Sequence, residues 1–146
     1  MKKVLALGML CMAAVSAKAA LFITNNTACP INMSIRGHDA GHTGECTLQS
    51  FEVTVPAFGS LAYNNVASLN TTPGWQGGIT AVTTGGTTVW GWDAVKFYAL
   101  SGGVFGGGLG SACSSPTSVT FPSACGGVTV TGTWTAIGGN TFVDFN

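Results

Sequence analysis

Residues 87–100, TTVWGWDAVKFYAL, form the longest run of the chain without a strong turn former, since Gly91 is their only glycine. Side chains of a strand alternate between its two faces. One face would carry mostly apolar residues with one acid, namely Val89, Gly91, Asp93, Val95, Phe97 and Ala99. The other would carry Trp90, Trp92, Ala94, Lys96 and Tyr98. We therefore interpret this stretch as the central strand of a sheet, and its second face as the best candidate for a working surface.

Short alternating segments separated by turn residues fill the rest of the chain, and no window shows the three-and-four apolar spacing of a helix. Residues 31–36 alternate clearly, and residues 51–55 and 58–64 flank a tight turn after Pro56, which predicts a hairpin. The glycine-rich residues 101–110 are not expected to form a regular strand throughout. Together these signals predict an all-β fold, a single antiparallel β-sandwich of eight or nine short strands, with a small barrel as the alternative.

The first 19 residues have the organisation of a secretory signal peptide. Lys2 and Lys3 form a basic start, residues 4–15 are apolar, and residues 17–19 (Ala-Lys-Ala) form a small-x-small cleavage site. The apolar run is too short to span a bilayer. The sequence therefore predicts cleavage after Ala19, one domain over residues 20–146, no membrane insertion, and a secreted or extracellular protein, with the periplasm or cell surface as alternatives.

Removal of the leader leaves two cations, Arg36 and Lys96, against five Asp and Glu residues, a net charge of 2 − 5 = −3. Binding a run of phosphates requires several cations in one surface. An anionic membrane attracts basic segments in the same way. We therefore expect neither nucleic acid nor a membrane surface as a partner.

Four cysteines remain after the leader, and an even number in an exported chain predicts two disulfides with three possible connectivities. We prefer Cys29–Cys46 and Cys113–Cys125, because each pair brackets a short, turn-rich segment. In the chain-entropy model such short loops stabilise the fold by roughly 3 kcal/mol each.

The first half of the mature chain carries I-x-N-N, then C-x-I-x-M-x-I, a cysteine-closed loop, and F-x-V-x-V-P-A-x-G-S. This order resembles small exported bacterial β-sandwich proteins of unknown function. The opening FITNNTACP also resembles the first strand of thaumatin-like proteins, whose many further cysteines are missing here. The resemblance implies the fold and no activity.

One polar loop gathers His38, Asp39, His42 and Glu45 in the pattern H-D-x-x-H-x-x-E. Imidazoles and carboxylates are metal ligands, so this loop is a candidate zinc or calcium site. The spacing matches no zinc signature, and a solvated turn in which Asp39 caps backbone amides is the alternative. No cofactor is otherwise expected, and no nucleophile–base pattern predicts a catalytic residue.

The aromatic residues suggest ligand binding, because indole and phenol rings stack on sugar rings while polar neighbours bond the hydroxyls. The candidates are Trp90, Trp92, Lys96, Tyr98 and Trp75. The alternative is that the Trp90/Trp92 pair fills the core or a seam between subunits.

These observations predict a non-catalytic interaction module of the cell exterior that binds glycan or protein. The first alternative is a self-assembling extracellular structural protein, a homo-oligomer, because low charge and threonine-rich strands leave sheet edges open to copies of the chain. The second alternative is a small metal-dependent hydrolase that uses the His38–Glu45 loop.

Overall fold

The alternating segments become ten strands in a computed structural model, which describes residues 20–82, 90–100 and 105–146. The predicted leader, residues 1–19, and the start of the predicted central strand, residues 87–89, lie outside the described residues. The strands are β1 (Leu21–Asn25), β2 (Ile31–His38), β3 (Leu48–Gln49), β4 (Val53–Val55), β5 (Gly59–Tyr63), β6 (Gly91–Ala99), β7 (Gly106–Gly110), β8 (Ser118–Ala124), β9 (Val128–Ile137) and β10 (Asn140–Phe145). A 3-10 turn, Val66–Leu69, follows β5.

The strands form two sheets. The first sheet has the order β5-β1-β10-β9-β8, and the second has the order β3-β2-β6-β7 with β4 also paired to β2. The all-β prediction is confirmed, and β6 is an interior strand as expected. A purely antiparallel sandwich of eight or nine strands is not confirmed, because ten strands are present and β1 pairs with β10 in parallel. The parallel pair arises because the first and last strands lie side by side, without a hairpin between them.

The predicted hairpin of β4 and β5 is wrong, because the chain crosses between the sheets at this point. β4 pairs with β2 in the second sheet, whereas β5 pairs with β1 in the first. The buried Asn25 stabilises the crossing, since its Nδ2 donates to the carbonyls of Cys29 (2.8 Å) and Pro56 (2.9 Å). A buried side-chain amide that satisfies backbone carbonyls replaces the hydrogen bonds that a hairpin would have made.

The two sheets share one core, formed by the inward residues of each strand. Phe97 of β6 contacts Phe145 of β10 with ring centroids 4.8 Å apart. The rings of Phe105 and Phe121 also pack against the ring of Phe97. The sheets approach closely at Gly132, where an added Cβ would lie 2.8 Å from Leu109 Cδ1. Among the described residues, the inward side chains of the second sheet belong to this core, so its outer face is the side that a ligand could reach.

Two disulfides are present, as predicted, but the preferred connectivity is wrong. Cys29 pairs with Cys125 and Cys46 pairs with Cys113, with sequence separations of 96 and 67 residues. The Cα–Cα distances of 5.6 and 5.9 Å are those that a disulfide requires. The bonds join segments that the sheets bring together, so neither follows from the short spacing along the chain.

Candidate functional site

A β-bulge at Asp93 decides which face of β6 each side chain occupies. Arg36 of β2 lies opposite Ala94 and Gly37 lies opposite Trp92, so Asp93 has no partner in the register. One extra residue reverses the alternation beyond it. Trp92 therefore lies on the core side together with Val95 and Phe97, not on the outer face with Lys96.

The predicted tryptophan face is accordingly not exposed. Trp92 is 5% exposed and Trp90 is 8% exposed, and their rings meet edge to face at 6.2 Å. Tyr63 packs against Trp92, and burial raises the pKa of its phenol above the usual value. Trp75 is also buried, and its Nε1 donates to Asn70 Oδ1 at 3.0 Å. Of the five predicted ligand residues, only Lys96 and Tyr98 are exposed.

The bulge also explains the buried acid of β6. The Asp93 carboxylate accepts from His38 Nδ1 at 2.8 Å and from the backbone N–H of Cys46 at 2.7 Å. Its backbone carbonyl accepts from the N–H groups of Ser111 and Ala112. A buried carboxylate needs such donors. Asp93 thus links β6 by hydrogen bonds to two loops, one with Cys46 and one with Ser111 and Ala112, and the Cys46–Cys113 disulfide joins the same two loops.

The structure does not bring the predicted metal ligands to one point. His38 turns to Asp93, whereas His42 Nδ1 contacts Asp39 Oδ1 at 2.7 Å and Glu45 is exposed. Asp39 Oδ1 also accepts from the N–H of Gly41, as predicted for a capping acid. Across residues 20–82, 90–100 and 105–146, no three His, Cys, Asp or Glu side chains form a metal-binding group. Asp39 and His42 therefore pair within the loop, whereas His38 pairs with Asp93 of β6.

Asp93→Ala is expected to lower the free energy of unfolding by about 2–3 kcal/mol, because the Cys46 N–H and His38 lose a buried acceptor. Urea unfolding followed by circular dichroism measures this change. Asp144→Ala is the matched control, since this half-buried acid on β10 lies outside any ion pair that the structure describes, and it should change stability by no more than about 0.5 kcal/mol. Equal effects of both variants would contradict the assigned role of Asp93.

The outer face of the second sheet is the exposed surface that remains of the predicted site. β2 contributes the half-buried Asn32 and Arg36 and the buried Ser34, and β6 contributes the exposed Lys96 and Tyr98. In β7, an added Cβ at Gly106 would lie 3.4 Å from Tyr98 Cβ, and one at Gly110 would lie 2.6 Å from Ala94 Cβ. These glycines therefore lie on the outer side of β7 without side chains, Gly106 beside the exposed Tyr98 and Gly110 beside the buried Ala94. The second half of the glycine-rich residues 101–110 thus forms β7, a strand with little side-chain bulk on its outer side.

Two grooves lie on this outer face, and Lys96 lines both. We call the first the glycine groove; it has a volume of about 220 Å³ and is lined by Arg36, Ala94, Val95, Lys96, Gly107, Gly108 and Ser115. We call the second the polar groove; it has a volume of about 280 Å³ and is lined by Ser34, Gln49, Glu52, Gln76, Lys96 and Tyr98. The first contains cations and no acid, whereas the second combines a cation, an acid and two amides.

Hydrogen bonds hold the side chains of the polar groove in place. Tyr98 Oη donates to Glu52 Oε1 at 2.7 Å, and Asn32 Nδ2 donates to Glu52 Oε2 at 3.1 Å. Gln76 Nε2 donates to the carbonyl of Ser50 at 2.8 Å, which leaves the amide oxygen of Gln76 as an acceptor. Glu52 is therefore an oriented carboxylate beside an exposed phenol ring.

Sequence reasoning identified Lys96 and Tyr98 but missed Glu52, Gln49 and Gln76. The alternation of β2 already predicts that Ser34 and Arg36 face away from the core. No local signal places Gln76 here, because it reaches the groove from the loop that follows the 3-10 turn.

No family model, no curated protein and no solved structure matches this chain. The resemblance to small exported bacterial proteins therefore stays a prediction. Within the described residues, no helix is long and apolar enough to cross a membrane.

Proposed function

We propose that this protein is an exported, non-catalytic binding module whose polar groove takes a hydroxyl-rich ligand, a glycan. The observation that supports this most strongly is the fixed Glu52–Tyr98 pair in a groove with two amide side chains. Sugar hydroxyls donate to carboxylates and exchange hydrogen bonds with amides. The phenol ring of Tyr98, 41% exposed, offers an apolar face on which a sugar ring stacks.

Two features support a location outside the cytoplasm. Disulfides persist in oxidising compartments, and this chain has two. The signal peptide predicted over residues 1–19 would carry the protein there. The proposed site of action is therefore the extracellular space or the cell surface.

Self-assembly is the second candidate function, and one observation favours it. Phe22 and Phe142 stack on the outer face of the first sheet with ring centroids 5.2 Å apart, and Phe22 is 36% exposed. An exposed aromatic pair on a strand-rich surface suits contact with a copy of the chain. In this case the light-scattering mass would grow with protein concentration, and Phe22→Ala would prevent the growth.

Tyr98→Ala is expected to weaken binding to a polysaccharide at least about tenfold, because it removes the stacking ring and releases Glu52. Isothermal titration calorimetry against a panel of neutral and acidic polysaccharides measures the affinity. Phe22→Ala is the matched control, since it removes an aromatic ring of similar exposure from the other sheet.

The Phe22→Ala variant should bind within about twofold of the unchanged protein, a difference below 0.5 kcal/mol. Loss of binding in Phe22→Ala with retention in Tyr98→Ala would move the site to the first sheet. The absence of binding to every polysaccharide of the panel would overturn the proposed function.

A further inference from the structure

The two cations of the mature chain lie together on one surface. Arg36 and Lys96 are the only Lys and Arg residues after position 19. Lys96 lies opposite Ser34 in the register of β2 and β6, so it is the diagonal neighbour of Arg36 on the outer face. Diagonal side chains of neighbouring strands are within reach of one another when they are long. A chain with five acids and two cations therefore concentrates its positive charge at one place.

Neither cation forms an ion pair with a carboxylate of the described residues. In the part of the chain that the structure describes, both ion pairs belong to histidines, and no carboxylate pairs with Arg36 or Lys96. The one side-chain hydrogen bond of Arg36 among these residues joins Nη2 to Gln49 Oε1 at 3.5 Å, the limit of such a bond. Its Nε is enclosed without an acceptor. Enclosed donors are almost always paired, and an unpaired donor on a charged group is costly.

The glycine groove gives an anion access to both cations. Gly108 lies opposite Lys96, so β7 places no side chain over the ammonium group. Ser115 lies at the far wall, and a Cβ added at Gly108 would approach its Oγ to 3.0 Å. No acid lines this groove. Two cations and a hydroxyl donor therefore converge on an open space.

We infer that the glycine groove binds the anionic group of an acidic polysaccharide, a carboxylate or a sulfate. The terminal nitrogens of Arg36, the ammonium of Lys96 and the hydroxyl of Ser115 donate to its oxygens. This inference rests on the proposed function, since the polar groove would hold the neutral part of the same chain. Lys96 joins the two grooves into one continuous surface.

Charge sets the direction of the ligand across this surface. Glu52 lines the polar groove and repels an anion placed there, so the acidic group is confined to the Arg36 side. Two cations suit a single acidic group, whereas a nucleic acid strand requires a longer row of them. The expected ligand therefore has isolated acidic groups on a hydroxyl-rich chain.

The test uses the purified oxidised protein and calorimetry at 0.15 M salt with four probes. Polygalacturonate supplies carboxylates, and its methyl ester is the neutral match; dextran sulfate supplies sulfates, and dextran is the neutral match. At least one acidic probe is expected to bind about tenfold tighter than its neutral match, and the probe that does so identifies the anion.

Three variants test the residues of the groove. Arg36→Gln and Lys96→Gln should each remove most of the preference for the acidic probe. Gly108→Ala should reduce this preference with the charge unchanged, because the new methyl group crowds Ser115.

Thr135→Glu is the control for net charge. It changes the charge by the same one unit as Lys96→Gln, but on the outer face of the first sheet, where exposed Thr135 lies opposite Phe142 and both sheets separate it from the groove. Salt screens its effect on the groove, so it should leave the affinity within about twofold. Equal binding of acidic and neutral probes, or an equal loss in Thr135→Glu and Lys96→Gln, would overturn the inference. If a neutral probe binds and Tyr98→Ala abolishes that binding while Arg36→Gln does not, the proposed function stands and the anion site fails. If no probe binds, both fail.

Discussion

Replacing Cys46 and Cys113 by alanine is expected to lower the free energy of unfolding by about 4 kcal/mol, and replacing Cys29 and Cys125 by alanine should lower it slightly further. The disulfide closes 67 residues of chain, and that between Cys29 and Cys125 closes 96. Loop-closure entropy increases with the logarithm of loop length, so each long loop stabilises by more than the roughly 3 kcal/mol of the short loops predicted from spacing. Since small domains are stable by about 5–15 kcal/mol, the reduced protein is expected to be near unfolding.

Urea unfolding of the oxidised protein, the Cys46→Ala/Cys113→Ala variant and the Cys29→Ala/Cys125→Ala variant measures these contributions. Proteolysis without reductant, followed by mass spectrometry, identifies the connectivity independently. A fragment in which Cys29 is bonded to Cys46 would contradict the structure. When produced as residues 20–146, which lack Cys11, each double variant keeps one native disulfide and no free thiol, so thiol–disulfide exchange does not affect the comparison.

Local pattern predicts the strands of this protein well, because each strand needs only alternating residues and a turn at each end. The predicted segments 31–36 and 58–64 correspond to β2 and β5. The partners of these strands are not a local property. The parallel pair of β1 and β10 joins residues that are more than a hundred positions apart in the sequence. The crossing from β4 to β5 is stabilised by Asn25, which lies about thirty positions from its partner Pro56. The alternation of apolar and polar residues along the chain therefore does not predict which strands pair.

In the candidate site, too, local pattern predicts some features and long-range contacts determine the others. Lys96 and Tyr98 were predicted correctly to be exposed, because they follow the bulge in the same uninterrupted register as Phe97. Trp92 precedes the bulge, and the extra residue at Asp93 reverses its face. Nothing in the letters W-D-A marks the bulge, since Asp93 is stabilised by His38 and Cys46, which lie about fifty residues away. The bulge is stabilised by hydrogen bonds between the Asp93 carboxylate and donors on distant segments.

The bulge leads to the second large effect. Trp92→Ala is expected to lower the free energy of unfolding by about 3–5 kcal/mol, because it empties the space of a buried indole between the sheets. Trp92 is 5% exposed and contacts the rings of Trp90 and Tyr63. Circular dichroism during urea unfolding is the appropriate measurement, since the substitution itself changes tryptophan emission.

Tyr98→Ala provides the contrast, since Tyr98 lies on the same strand but is 41% exposed. It should change the free energy of unfolding by less than about 1 kcal/mol, because little apolar surface leaves a packed environment. The two aromatic residues of β6 thus have opposite expected phenotypes: one supports the fold and the other binds the ligand. A Trp92→Ala variant as stable as the unchanged protein, yet unable to bind polysaccharide, would mean that β6 alternates strictly. Trp92 would then share the outer face with Lys96, and the bulge at Asp93 would be absent.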